Sequence, residues 1–120
     1  MDTFNFEKLI AWEKSVEFFD LIMIKTEDFH NNKSSYRLKE QLDAASASIS
    51  MNIAEGTGRY SKKEYLKFLY YSRGSLYETV TLLILLNKRN NLSDENLQFL
   101  KAKAMEITKI LNGLITSIRK

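Results

Sequence analysis

Residues 48–65 read SISMNIAEGTGRYSKKEY, and this stretch separates two segments of helical periodicity. Gly56 is the residue type that commonly follows the last turn of a helix, so it predicts the end of one helix. Ser61, with Glu64 three residues later, has the pattern of a capping box and predicts the start of the next helix. Because short connections favour antiparallel neighbours, the stretch predicts that the chain folds back on itself here.

Before this joint, apolar residues recur at steps of three and four, which is the spacing of one face of a helix. A first helix is predicted at about residues 6–29, with the core face Leu9, Trp12, Val16, Phe19 and Met23. A linker at residues 30–34 follows it. A second helix would end at Gly56, and its core face, rich in small residues that allow close approach, would comprise Leu38, Leu42, Ala45, Ile49 and Asn52.

The same spacing continues after the joint. A third helix is predicted from the Ser61 cap to about Asn90, with the core face Tyr65, Leu69, Ser72, Leu76, Thr79, Leu83 and Leu86. Ser93, followed by two acidic residues, predicts the cap of a fourth helix with the core face Leu97, Leu100, Ala104, Ile107, Leu111, Leu114 and Ile118. The sequence therefore predicts an all-α protein, an antiparallel up-down-up-down four-helix bundle that forms a single domain over residues 1–120.

The composition favours a cytoplasmic protein. The chain of 120 residues has no cysteine, so it forms no disulfide. It also has no proline, the residue that most often breaks a long helix. Its longest apolar run, residues 82–86, is much shorter than the roughly 20 residues of a membrane-spanning helix. The first residues lack the pattern of a secretory signal. We therefore expect a cytoplasmic location and no membrane partner.

The third helix carries a second apolar stripe, about 100° around the helix axis from the first. Exposed aromatic and aliphatic stripes of this size usually mark association surfaces. The stripe therefore predicts a homo-oligomer whose interface contains Leu66, Tyr70, Tyr77, Val80 and Ile84. The alternative is that a helix packed among three others hides both of its stripes within one bundle.

The sequence predicts no catalytic residue, no cofactor site and no metal site. Its single histidine, His30, lies in the polar linker and is expected to face solvent. The Glu-x-x-His pairs of metal-binding bundles are not present in the sequence. The Gly-x-Gly at residues 56–58 follows a helix and lacks the other residues of a nucleotide-binding loop. We therefore expect a protein that is not an enzyme.

The polar residues around the joint have a structural and a functional interpretation. In the first, Asn52 and Glu55 form hydrogen bonds within the joint, and Glu55 pairs with Arg59 or with Arg73. In the second, the start of the third helix and the end of the fourth bring cations together as a site for nucleic-acid phosphates, formed by Arg59, Lys62, Lys63, Lys67, Arg119 and Lys120. Ordinary solvated surface charge is the alternative to such a site.

Two blocks of the sequence resemble a known family. Residues 48–59, SISMNIAEGTGR, have the pattern S-I-x-x-N-I-A-E-G-x-G-R, and residues 74–78, GSLYE, have the pattern G-S-x-x-E. With FEKLIAWEKS near the start, they make nearly the whole chain resemble the four-helix bundle proteins encoded by intervening sequences of bacterial 23S ribosomal RNA genes. The resemblance implies an antiparallel bundle, often assembled as a homopentamer. The wider family includes the accessory variability determinant of diversity-generating retroelements, a pentamer that binds nucleic acid and a reverse transcriptase.

The second block lies in the middle of the third helix. Glycine there costs about 1 kcal/mol relative to alanine, so we expect the small-residue face of the second helix to approach closely at Gly74. Polar contacts would lock the two helices together, through Asn52, Glu55, Arg73, Ser75 and Glu78. Two functions follow as hypotheses: a homo-oligomeric accessory protein that contacts RNA or DNA phosphates without reading their sequence, or a protein-interaction scaffold that binds no nucleic acid.

Overall fold

The computed structural model describes residues 2–27 and 33–120, and this part of the chain is all-α. A short 3-10 helix, Asn5–Lys8, precedes four α-helices. These are α1 (Ile10–Lys25), α2 (Lys33–Thr57), α3 (Lys62–Lys88) and α4 (Asp94–Arg119). The predicted fold class, a four-helix bundle, is confirmed.

Contacts at the two ends of the bundle define its topology. Lys62 Nζ, at the start of α3, donates to the backbone oxygen of Lys120, 2.7 Å away, after the end of α4. Asn91, after the end of α3, donates through Nδ2 to Ser35 Oγ near the start of α2, over 2.6 Å. The helices α2 and α3, and likewise α3 and α4, are therefore antiparallel. The helix α1 packs against both α2 and α4, which closes the ring of four helices.

The core faces of α3 and α4 are the best predicted parts of the fold. On α3, Tyr65 is half-buried and the other predicted core residues are buried, as is Leu82 in addition. On α4, the prediction holds from Leu97 to Leu111, but beyond that Ile115 is buried whereas Leu114 and Ile118 are only half-buried. A step of four after Leu111 follows the 3.6-residue turn, and it brings Ile115 rather than Leu114 onto the buried face.

The predicted core face of α1 is only partly correct, with Leu9 and Trp12 half-buried and packed against the core. Val16 and Met23 are 39% and 38% exposed, whereas the buried residues are Ala11, Ser15, Phe18 and Ile22. Apolar side chains surround much of this helix, so hydropathy alone does not select the buried face. Small residues occupy two of the buried positions, and the hydroxyl of Ser15 can be buried because it donates to the Ala11 carbonyl oxygen, 2.7 Å away.

The predicted limits of the first two helices also change. The helix α1 begins at Ile10, because the preceding residues form the 3-10 helix and Leu9 has an extended backbone. It ends at Lys25. The helix α2 already begins at Lys33, within the predicted linker. The predicted end of the first helix at residue 29, and His30 with its expected exposure, lie outside the described residues.

The interface between α2 and α3 is the most extensive in the bundle. On α2, the buried residues include Leu42, Ala45, Ile49 and Ile53, whereas Leu38 and Asn52 are half-buried. Fully burying each of the leucine and isoleucine side chains contributes roughly 1.5–3 kcal/mol. This interface fixes the position of the α2–α3 joint, where the candidate site lies.

Candidate nucleic-acid interface

Gly56 serves close packing and not the end of a helix. The helix α2 continues through it to Thr57, and none of the four glycines, all of which lie in the described part of the chain, has a positive φ. A Cβ added to Gly56 would lie 3.0 Å from Phe68 Cβ, 3.0 Å from Tyr65 Cδ1 and 3.3 Å from the Tyr65 carbonyl oxygen. The predicted C′ role of Gly56 is therefore wrong, and its lack of a side chain is what lets α2 approach α3.

Gly74 has the opposite environment from the predicted one. An added Cβ would meet no atom within 4 Å, and Gly74 is exposed on α3. The expected close approach of α2 at this position is wrong, because Gly74 lies on the side of α3 that faces solvent. A close approach of α2 and α3 takes place at Gly56.

The turn between α2 and α3 is short and hydrogen-bonded. Gly58 N donates to the Glu55 carbonyl oxygen and Arg59 N donates to that of Gly56, both over 3.1 Å. Ser61 then caps α3 by accepting a hydrogen bond from Glu64 N at 3.1 Å, which confirms the predicted start of this helix. Residues 58–61 therefore hold the basic side chains that follow at a defined place on the surface.

Serine hydroxyls form the polar contacts across the α2–α3 interface. Ser72 Oγ donates to the Ile49 carbonyl oxygen over 2.8 Å, and Ser48 Oγ donates to Ser75 Oγ over 2.5 Å. Asn52 instead bonds within α2, donating to the Ser48 carbonyl oxygen at 2.8 Å. Of the predicted polar contacts, the one through Ser75 therefore joins the two helices. The prediction did not include Ser48 and Ser72 as members of this contact.

The charged members of the predicted polar lock take other partners. Glu55 pairs with Arg59, with 3.1 Å between Oε1 and Nη2, which is one of the two predicted alternatives. Arg73 does not reach Glu55, because its Nη1 donates to Asn112 Oδ1 on α4 at 3.0 Å. Glu78 is exposed and makes no hydrogen bond or ion pair with the described residues. The lock is therefore a serine contact to α2 and an arginine contact to α4.

We use the name basic end for the predicted phosphate-binding residues, Arg59, Lys62, Lys63, Lys67, Arg119 and Lys120. The Lys62–Lys120 contact joins the start of α3 to the end of α4 within this set. Arg59 pairs with Glu55, and Lys67 Nζ lies 3.9 Å from a Glu64 carboxylate oxygen. Exposed pairs of this kind contribute only about 0–1 kcal/mol, so they leave both cations accessible to another anion.

Lys63 and Arg119 complete the basic end. Both are exposed and neither has an ion pair within the part of the chain that the structure describes. Lys63 also lies in the first turn of α3, where the helix dipole disfavours a cation by about 0.3–1 kcal/mol. An anion bound at this point would offset that unfavourable term.

Aromatic rings lie among these cations. The guanidinium carbon of Arg59 is 4.4 Å from the centre of the Phe68 ring, and Lys67 Nζ is 5.9 Å from that of Tyr71. The two rings meet edge to face with their centres 5.5 Å apart. The predicted site residues did not include Phe68, Tyr71 or the exposed Tyr60, although these rings alternate with the basic residues of the segment 59–71, which is a pattern typical of nucleic-acid-binding surfaces.

The second stripe of α3 is only partly exposed. Leu66, Val80 and Ile84 are half-buried and pack against the core of the same bundle. Tyr70 and Tyr77 remain 38% and 53% exposed. The exposed part of the predicted oligomer interface is therefore reduced to these two tyrosines, which we call the tyrosine face. Gly74 lies between them in the sequence and leaves open space beside the helix.

One ionisable group near the joint has a shifted pKa. Burial raises the pKa of Tyr65 above its ordinary value, because the charged phenolate would lose solvation where the ring packs between α2 and α3. In the part of the chain that the structure describes, no group of three or more histidine, aspartate or glutamate side chains is placed to hold a metal ion. Among the described helices, none is sufficiently long and apolar to cross a membrane.

Comparisons with known proteins agree with this architecture. The chain is similar to the crystal structure of a protein of unknown function from the S23 ribosomal protein family of Bacteroides thetaiotaomicron, with a TM-score of 0.70. The two sequences are 21% identical, and the match covers 88% of this chain and 98% of the other. No curated protein matches the sequence significantly. The profile of the family described as 23S rRNA-intervening sequence protein matches residues 7–113. That match spans most of the sequence, and the chain therefore belongs to the family of 23S rRNA-intervening sequence proteins.

Proposed function

We propose that this protein is a non-enzymatic accessory protein of the cytoplasm that binds the phosphate backbone of RNA or DNA through its basic end. The observation that carries the proposal is the contact between Lys62 Nζ and the Lys120 backbone oxygen, which joins the start of α3 to the end of α4. Because both segments are rich in cations, the contact favours one continuous positive surface. Such a surface binds phosphates without reading base sequence.

The charge balance of this surface supports the proposal. Glu55 and Glu64 are the carboxylates paired with basic-end residues, and both pairs are exposed to water. A phosphate that replaces either carboxylate as a partner would therefore break only a weak interaction. Lys63 and Arg119 need no such exchange, since each has an uncompensated charge within the described part of the chain.

Affinity for a short DNA duplex, measured by fluorescence anisotropy over a range of salt concentrations, tests the proposal. Each phosphate contact contributes about −0.9 to the slope of log affinity against log salt for duplex DNA, so four contacts predict a slope of about −3.6. A steep loss of affinity between about 50 and 200 mM salt is the expected result. An affinity independent of salt, or no binding at low salt, would contradict the proposal.

The proposal includes assembly of the bundle into a homo-oligomer through the tyrosine face. Tyr70 and Tyr77 are exposed aromatic residues on one side of α3, and the open space at Gly74 would admit the backbone of a neighbouring helix. Aromatic residues are enriched at protein interfaces. Five copies is the number that the family resemblance implies.

A second candidate function is a protein-interaction scaffold that binds no nucleic acid. The same exposed tyrosines favour it, because they offer a partner protein an aromatic surface that the bundle itself does not cover. In this case the cations of the basic end only keep the protein soluble. The salt titration separates the two functions, since a scaffold of this kind has no phosphate contacts.

A further inference from the structure

We infer that the nucleic acid bound at the basic end is single-stranded, and that its bases stack on the aromatic residues beside the lysines. We call the two exposed rings among them, Tyr60 and Tyr71, the stacking platform. The inference rests on the proposed function, because phosphate contacts at the basic end would hold the strand over the platform. It goes further by naming the form of nucleic acid that this surface recognises.

The exposure of the two tyrosines is the first observation. Tyr60 lies in the turn between α2 and α3 and is fully exposed, with a relative accessibility of 106%. Tyr71, on α3, is 49% exposed. Neither ring contributes to the hydrophobic core of the bundle. Each tyrosine therefore offers exposed ring surface to a planar, apolar ligand.

The arrangement of rings and cations is the second observation. Phe68 is held between Arg59, whose guanidinium carbon is 4.4 Å from the ring centre, and Tyr71, which meets it edge to face. Lys63, Lys67 and Tyr71 follow one another at steps of four along α3, so they lie on one side of the helix at intervals of about 6 Å along its axis. Phosphate-binding and base-binding groups therefore occupy the same strip of surface.

The shape of the surface beside the platform is the third observation. A shallow depression on α3 is lined by Lys63, Glu64, Leu66, Lys67, Tyr70 and Tyr71. Its lysines and tyrosines match the phosphate and the base of a nucleotide, and Glu64 adds one negative charge that pairs with Lys67. Tyr70 also belongs to the tyrosine face, so the depression borders that face. A strip with both cations and aromatic rings is the usual design of surfaces that bind single strands without sequence preference.

A double helix cannot use this platform. Its bases are stacked on one another and paired, so this surface reaches the phosphates and groove edges but no face of a base. Exposed rings would then add nothing to the affinity for a duplex. In a single strand the base faces are free, and each stacked base strengthens binding by about fivefold or more.

Three labelled probes of equal length test the inference: an oligothymidylate, an abasic strand with the same phosphates, and a duplex. The wild-type protein is expected to bind the oligothymidylate more tightly than the abasic strand, by about fivefold or more for each stacked base. The double variant Tyr60→Ala, Tyr71→Ala should lose this difference and keep its affinity for the abasic strand and the duplex. Tyr60→Phe, Tyr71→Phe should retain the difference, because it keeps both rings.

Tyr36→Ala is the matched control, since Tyr36 is 54% exposed on α2 and lies outside the basic end. Its affinities for all three probes should equal those of the wild type. Equal binding of the oligothymidylate and the abasic strand by the wild type would overturn the inference but leave the phosphate contacts intact. An equal loss of affinity for all three probes in the double alanine variant would also overturn the inference, because the two rings would then support phosphate binding and not base stacking. Failure of the wild type to bind any probe at low salt would reject the proposed function as well.

Discussion

Replacing Gly56 with alanine is expected to destabilise the bundle, whereas the same replacement at Gly113 is expected to stabilise it. Both glycines lie in helices, so both replacements gain the higher helix propensity of alanine, which is worth roughly 0.5–1 kcal/mol. They differ in what the new methyl group meets. At Gly113 an added Cβ has no atom within 4 Å, and at Gly56 it has three contacts between 3.0 and 3.3 Å.

The size of the effect follows from which of those atoms can move. The Tyr65 ring can rotate away from its 3.0 Å contact, but Phe68 Cβ and the Tyr65 carbonyl oxygen are fixed to the backbone of α3. The new methyl group therefore pushes α3 away from α2 along the most extensive interface of the bundle. Overpacking of this kind costs typically about 1–3 kcal/mol. The difference in stability between the two variants should therefore be about 1–3 kcal/mol, because the propensity gain cancels in the comparison.

Urea denaturation of the wild type and both variants measures this difference as a shift in the midpoint of unfolding. The comparison requires that the unfolding free energy has the same dependence on urea concentration in all three proteins. Gly74→Ala provides a second open position, because its added Cβ also meets no atom within 4 Å. A Gly56→Ala protein as stable as the Gly113→Ala protein would refute the close approach of α2 to α3.

Two further predictions concern assembly and pH. Tyr77→Glu should dissociate the oligomer, because it places a charge in the proposed tyrosine face, whereas Tyr36→Glu should not; light scattering that reports the parent mass for Tyr77→Glu would exclude this interface. The raised pKa of Tyr65 means that the folded state keeps its proton at a pH where the unfolded state loses it. Its contribution to stability should be constant through neutral pH and decrease as the pH rises above about 10, the unfolded pKa of tyrosine. Tyr65→Phe should remove the part of the stability decrease above pH 10 that comes from Tyr65. If the variant and the wild type have the same profile of urea midpoint against pH, the Tyr65 hydroxyl does not cause the decrease.

How well the sequence predicts each helix depends on the contrast between its faces. The helix α4 has one regular apolar stripe, and Phe99 and Met105 are its exposed large apolar residues, so the predicted residues from Leu97 to Leu111 were correctly assigned to the core. The helix α1 has apolar side chains on several faces, and two of its buried positions hold Ala11 and Ser15. Hydropathy does not distinguish those residues from surface residues. Only the positions of α2 and α4 around α1 determine which of its faces is buried.

The candidate site likewise has features that the sequence predicts and features that depend on how the helices pack. The sequence predicted the Ser61 cap, and it predicted the pairing of Glu55 with Arg59 as one of two alternatives, since both contacts depend on neighbours within one or two helical turns. It did not predict which glycine allows close packing, because that depends on where α3 crosses α2. It also did not distinguish the half-buried Val80 from the exposed Tyr77, since the position of α4 beside α3 decides the exposure of this stripe.

The central claim, that the basic end binds nucleic-acid phosphates, is tested most directly by removing two of its charges and comparing the salt dependence of duplex binding. The control removes the same number of charges through Lys88→Gln and Arg89→Gln, at the opposite end of α3. The slope of log affinity against log salt should decrease in magnitude by about 1.8 in the double variant Lys62→Gln, Lys63→Gln, because two phosphate contacts of about 0.9 each are lost. The control should retain the wild-type slope. Equal slopes for the two double variants would contradict the account, because binding would then follow net charge and not the basic end.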